Sequence, residues 1–135
     1  MPETKIDVLV IGAGPAGIQA AIHASRKKVS TVLIGKLVNS AMYNADIVNY
    51  FGITGAVKGS ELLETGIEQI KESGAVFVEE NVISAGRKDK KFYISAEGGK
   101  NYVAKAVIVA TGISRVKLGI PGEKEFIGKG VSYCS

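Results

Sequence analysis

Three glycines spaced G-x-G-x-x-G, Gly12, Gly14 and Gly17, follow the apolar run Val8-Leu-Val-Ile11 and precede an alanine-rich segment. Buried strand, glycine turn and helix N-terminus, in that order, suit the pyrophosphate of a dinucleotide. Gly12 permits a tight turn, Gly14 lets the backbone approach the phosphates, and Gly17 lets the helix pack close to the strand. The free N–H groups and positive dipole end of the helix then face the anion. A βα turn kept only for packing would show the same spacing. The other residue able to do chemistry is Cys134, the only cysteine of the chain, which excludes an internal disulfide and a cysteine-based zinc site. A low thiol pKa would need a helix N-terminus or a nearby cation, and the local sequence shows neither clearly. His23 has no acidic or cysteine neighbour in sequence and reads as a surface or boundary residue.

The elements that must position these groups follow from hydrophobic pattern. Residues 5–11 read as a first strand and 15–28 as a helix, with Pro15 in the first turn, where no N–H is needed. Residues 30–34 read as a second buried strand, completing a right-handed βαβ unit. Residues 36–53 lack a clear period and read as a long loop of the kind that often binds ligands. A second helix is expected over 59–73, with Ser60 as N-cap and Leu62, Leu63, Ile67 and Ile70 on its buried face. Residues 75–78 read as a third strand, 82–85 and 91–95 as strands around the charged turn Arg87-Lys-Asp-Lys-Lys91, and 102–104 as their partner. A further buried strand is expected over 105–110, and no helix beyond Gly112. These pieces sum to a doubly wound α/β domain, a parallel sheet with an antiparallel β-meander on one face.

A chain of 135 residues suits one domain with a sizeable core. Its net charge of +4 is modest, and the basic residues are scattered apart from Arg26-Lys-Lys28 and the charged turn. Nucleic-acid binding would want a basic face interleaved with aromatics, so no nucleic-acid partner is expected. No stretch approaches the roughly 20 apolar residues of a membrane span, and no signal or transit segment is evident, so the expected setting is cytoplasmic, without a membrane.

Further motifs carry a family resemblance. Ile11-Gly-Ala-Gly-Pro-Ala-Gly17, Val48-Asn-Tyr-Phe-Gly52, Ile53-Thr-Gly55, Ala110-Thr-Gly112, Leu118-Gly-Ile-Pro-Gly-Glu123 and Gly130-Val-Ser-Tyr-Cys134 occur in this order along nearly the whole chain. Each is weak; together they are very specific. The chain resembles the N-terminal part of the low-molecular-weight thioredoxin reductases, which are flavin-dependent pyridine nucleotide-disulfide oxidoreductases. The resemblance implies a Rossmann-like FAD-binding fold. It implies pyrophosphate contacts along Gly12, Ala13, Gly14, Pro15, Ala16 and Gly17, a place for Asn49 near the flavin or its ribityl chain, and backbone near Asn81 or Val82 beside the adenine. Thr111 and Gly112 would approach the cofactor at a strand's carboxyl end. Electrons in such enzymes pass from NAD(P)H to FAD, then to a Cys-x-x-Cys pair, then to a thioredoxin-like disulfide protein.

Three departures stand out. The family's ribose-binding glutamate, about 20 residues after the glycines, is replaced by Gly35, followed by Lys36, which can contact a phosphate. The Gly-Gly-Gln-like segment is replaced by Asn39-Ser-Ala-Met42, where Asn39 or Ser40 could restore a polar contact. Cys134 is followed by Ser135, and the resemblance implies a second cysteine two positions beyond Ser135. Cys134 is thus the first half of a truncated redox pair, a surface thiol, or a thiol for an intermolecular disulfide. The resemblance also implies a division into an FAD-binding domain at 1–118, lacking its C-terminal return segment, and the start of a nicotinamide-binding redox domain at 119–135, expected to be loosely packed. The leading reading is the FAD-binding portion of a disulfide oxidoreductase that is not competent alone, completed by another chain or a homo-oligomer. The alternatives are a non-catalytic nucleotide-binding module and an interaction domain with a degenerate FAD site.

Overall fold

In the computed structural model, which describes residues 3–114 and 116–133, the apolar run becomes β1 (Glu3–Ile11), and the glycine turn leads into α1 (Pro15–Ser25). Next come β2 (Thr31–Ile34), a 3-10 turn at Leu37–Asn39, β3 (Asp46–Ile47), β4 (Val57–Lys58) and α2 (Gly59–Glu72). The chain continues through β5 (Val76–Val78), β6 (Val82–Lys88), β7 (Lys91–Ala96) and β8 (Asn101–Val109).

Six strands form one sheet in the order β5-β2-β1-β8-β7-β6, and β3 pairs with β4 as a small separate ladder. Neighbours from β5 to β8 are parallel, whereas β6, β7 and β8 pair antiparallel. The strands expected at 102–104 and 105–110 are one strand: β8 runs parallel to β1 along its length, while its first residues also pair with β7. Hydrogen bonds through β8 thus join the meander to the parallel sheet.

Alternation along the strands sorts the core onto two faces. Val10 and Leu33 pack with Ile18 and Ala21 of α1 and with Leu63, Ile67 and Ile70 of α2. Leu9, Val32 and Ile34 point the other way and pack with Ile94 and Ala96 of β7, which places the meander on the second face. Full burial of Leu9, Val10, Leu33 and Ile34 makes this central pair of strands the rigid support of the glycine turn.

Local departures have local causes. The first helix ends at Ser25 rather than 28, and Lys28 adopts a left-handed φ of 59°. The Ser25 and Ser73 hydroxyls share a hydrogen bond (2.6 Å), each also within reach of its own helix carbonyl, Ile22 O (3.0 Å) and Ile70 O (2.7 Å), joining the ends of the two helices. Ser60 lies inside α2: Lys58 is the N-cap and makes no side-chain cap bond. The start is set by Gly59, whose N–H donates to Ala45 O (2.9 Å) and where a Cβ would overlap the Met42 carbonyl. Asp89 and Lys90 both have positive φ (50° and 61°) between β6 and β7, a two-residue turn whose twist matches the strands. Beyond β8, Glu123 is buried and accepts the backbone N–H groups of Leu118 (2.9 Å) and Gly119 (2.7 Å), closing 118–123 into a loop. Among the described residues no helix is long and apolar enough to cross a membrane.

Candidate functional site

A cleft of about 450 Å³ opens where β1 and β2 end and β8 leaves the sheet. Ligands of open α/β sheets bind at such carboxyl ends, and the volume lies within the usual range for small-molecule sites. Gly12, Ala13, Gly14, Pro15 and Ala16 line its floor, Gly35 and Lys36 one wall, Val82 another, and Thr111 and Gly112 its far side.

Glycine at position 12 is dictated twice. Its φ is +111°, and a Cβ there would overlap the Ala110 carbonyl oxygen. Gly12 N donates to Ile34 O and Ala110 N to Ile11 O, both at 2.8 Å, so the turn is stitched to both neighbouring strands. Gly17 does not line the cleft; a Cβ there would strike the Gly12 carbonyl, so it sets the approach of α1 to the turn. α1 has no side-chain cap and no acidic residue in its first turn. Its positive end therefore stays available to an anion.

Gly35 has a different cause. A Cβ at this position would stand 2.5 Å from Ala13 N and 3.0 Å from Ala13 Cβ. The end of β2 lies too close to the glycine turn to carry any side chain, acid included. The polar groups of this quarter come from three loops instead. Lys36 Nζ contacts Glu97 Oε1 at 2.5 Å. Asn81 donates its amide to Glu97 Oε2 (3.0 Å), and Asn39 donates to Asn81 Oδ1 (3.1 Å). Glu80, also on the wall, accepts Gly98 N (3.0 Å) and faces Lys100 Nζ (3.5 Å). The Lys36 ammonium, then the Asn81 amide, hold the Glu97 carboxyl below the usual carboxylate range.

The sequence reading missed Glu97 and Glu80. Counting back from the Asp89-Lys90 turn opposes Lys88 to Lys91, and an irregularity near Val82 then sets Val82 opposite Ala96. This register is the signal that would have brought Glu97 to Asn81. Asn39 is absorbed by Asn81, while Ser40 stands beside Gly14, its Oγ 3.4 Å from where a Cβ would be. Asn49 is exposed between β3 and β4 and is not part of the cleft lining. His23 is exposed on α1, away from the cleft. Cys134 lies outside the described residues. A second hollow of about 520 Å³, lined by Ile127, Val131 and Tyr133, shares Ala41 and Ile113 with the cleft. No cluster of metal-ligating side chains occurs among the described residues.

The glycine turn between β1 and α1, fronting a cleft at the ends of parallel strands, defines a doubly wound domain of the dinucleotide-binding class. The family model for pyridine nucleotide-disulphide oxidoreductases matches residues 6–135, and the chain belongs to that family. It is 39% identical to a thioredoxin reductase of Treponema pallidum over 98% of its length, covering 44% of that protein. With a thioredoxin reductase of Bacillus subtilis the identity is 41%, over the whole chain and 43% of the relative. A solved thioredoxin reductase from Giardia duodenalis superposes with a TM-score of 0.82 at 35% identity, over 98% of this chain and 43% of that one. The chain thus spans less than half the length of the relatives it matches.

Proposed function

We propose that these residues form the FAD-holding part of a thioredoxin-reductase-type disulfide oxidoreductase. The observation that carries the reading is the cleft itself, which gathers the glycine turn, Gly35, Val82 and Thr111-Gly112 at the carboxyl end of the parallel strands. The residues fit the group: a side chain at Gly12 would break the turn, the first turn of α1 carries no competing acid, and the floor leaves backbone exposed to phosphates. Gly12 to Ala16 would hold the pyrophosphate, Lys36, Asn39 and Asn81 the adenosine end, and Thr111-Gly112 the side toward the flavin. Gly17 supports the turn from behind. Asn49 would reach the flavin only after a rearrangement of its loop.

When bound, the flavin supplies the two-electron chemistry between a nicotinamide donor and a dithiol. The chain's own task is to bind and orient. Cys134 is assigned as one thiol of the redox pair. A single thiol cannot complete an intramolecular dithiol–disulfide couple, so the nicotinamide site, the second thiol and a thioredoxin-like partner belong to a larger assembly, formed with further polypeptide or with a second copy. In this reading residues 1–118 are the FAD domain and 119–135 lead into the next.

Titration of the purified chain with FAD tests the proposal. Saturable binding, with the shift in flavin absorption that accompanies transfer into a protein, and no NADPH-dependent disulfide reduction by the chain alone, are the expected results. A folded chain that leaves free FAD unchanged overturns it. Gly35 favours a second reading, a nucleotide module without redox function; binding of ADP-ribose without FAD would select it.

A further inference from the structure

The side-chain bridge at the adenosine end joins the loop after β2 to the loops flanking β6 and β7. Lys36 and Asn39 stand on one side, Asn81 and Glu97 on the other. In dinucleotide folds an acid at the end of the second strand receives the ribose hydroxyls, whereas a cation there accommodates a ribose phosphate. This chain has lost the acid at Gly35 and carries a cation next to it, the pattern that by sequence favours a phosphorylated ribose. The structure argues the opposite. Lys36 is already closed on Glu97 at 2.5 Å, and the second carboxylate of this quarter, Glu80, lines the same wall. Lys100, the other cation nearby, engages Glu80 rather than the cleft. A phosphate arriving at the ribose would have to draw Lys36 away from Glu97 and stand beside Glu80.

We propose that Glu97, by holding Lys36, makes the adenosine end of the cleft selective for a dinucleotide with free ribose hydroxyls and against one carrying a ribose phosphate. The inference rests on the FAD reading and gives that site its selectivity. Glu97 is a specificity-determining residue that acts through Lys36. It stands behind Lys36, outside the cleft lining, while the end of β2 carries Gly35 packed on Ala13.

Calorimetric titration of the full chain with ADP-ribose and with 2′-phospho-ADP-ribose, which differ only in that phosphate, tests it. The wild-type chain is expected to favour ADP-ribose by about fivefold or more, in keeping with a partly exposed ion pair. Glu97→Gln leaves the Lys36 charge unopposed and should shift the ratio by about fivefold toward the phosphorylated ligand. Lys36→Gln combined with Glu97→Gln removes both charges and should cancel that gain; circular dichroism confirms the fold of each variant. Equal affinity for the two ligands in the wild-type chain, or the same shift in the single and double variants, overturns the inference while leaving the FAD reading intact. Failure to bind either ligand or FAD overturns both.

Discussion

Replacing Gly14 by alanine should weaken cofactor binding while sparing the fold, whereas the same change at Gly12 should damage the fold itself. Gly14 sits at φ −86° and ψ −178°, open to any residue. A Cβ there meets only Ser40 Oγ, at 3.4 Å, on the rim of the cleft. Alanine is a poorer N-cap than glycine by up to about 1 kcal/mol, offset by about 0.4–1 kcal/mol from a less flexible unfolded chain. Stability should therefore change by no more than about 0.5 kcal/mol. The new methyl stands where the phosphates would approach the first turn of α1. Loss of one charge-assisted hydrogen bond costs about 1.5–3 kcal/mol, so FAD affinity should fall about 10- to 150-fold. Gly12→Ala imposes a side chain on a φ of +111° and drives it into the Ala110 carbonyl. Backbone strain alone is about 1–3 kcal/mol, and the overlap adds to it. Urea unfolding and quenching of flavin fluorescence, measured on both variants, separate the effects. A folded Gly14→Ala chain binding FAD within about threefold of wild type, or unfolding as readily as Gly12→Ala, would refute the placement of the phosphates over this turn.

Two further outcomes are expected. Gly66→Ala in the middle of α2 would gain about 1 kcal/mol in an exposed helix. Here the added Cβ would stand 2.7 Å from Ile18 Cγ2 at the buried α1–α2 contact. Overpacking of about 1–3 kcal/mol should reverse the sign, and a raised urea midpoint would contradict this. Asp7 accepts the Lys105 ammonium at 2.6 Å and both the hydroxyl and backbone N–H of Ser30 at 2.8 Å, in that order of effect on its carboxyl, which is held far below its ordinary value of 3.8. A depressed folded pKa gives stability that is present above the unfolded pKa and lost as pH falls through the folded one. The thermal midpoint should drop below about pH 4, and Asp7→Asn should flatten that dependence; an unchanged slope in the variant would count against the role of Asp7.

Long periodic segments were legible because their own hydrophobic pattern decides them. β1, α1, β2, α2 and β5 fall within a few residues of the sequence expectation, and the glycine turn was readable because its residue types leave few other conformations. Where the sequence misled, a distant partner decided. Ser60 is a plausible cap, yet α2 starts where Gly59 meets the 42–45 backbone. Residues 101–109 read as two strands because Lys105 interrupts the apolar run; in the structure Lys105 is exposed and pairs with Asp7, so the strand passes through it unbroken. The adenosine end was the least legible, since Glu97 reaches Lys36 only through the register of a hairpin that ends 61 positions away in sequence.

The two ends of the cleft differ in kind, and that difference governs how each responds to change. The end proposed for the phosphates is backbone: Gly12 bonds to β2, Ala110 bonds to β1, and the side chains behind them, Leu9, Val10, Leu33 and Ile34, are fully buried. Alteration at Gly12 or Gly35 must move packed main chain, so it is felt first as lost stability. The end proposed for the adenosine is side chain: Lys36, Asn39, Asn81 and Glu97 belong to connecting loops and remain partly exposed. Alteration there should leave the core untouched and, in the proposed reading, change which nucleotide is preferred. In the proposed reading, the acid can therefore be absent from the end of β2 while the glycine turn stays intact, and the turn after β7 sets Glu97 against Lys36 nearby.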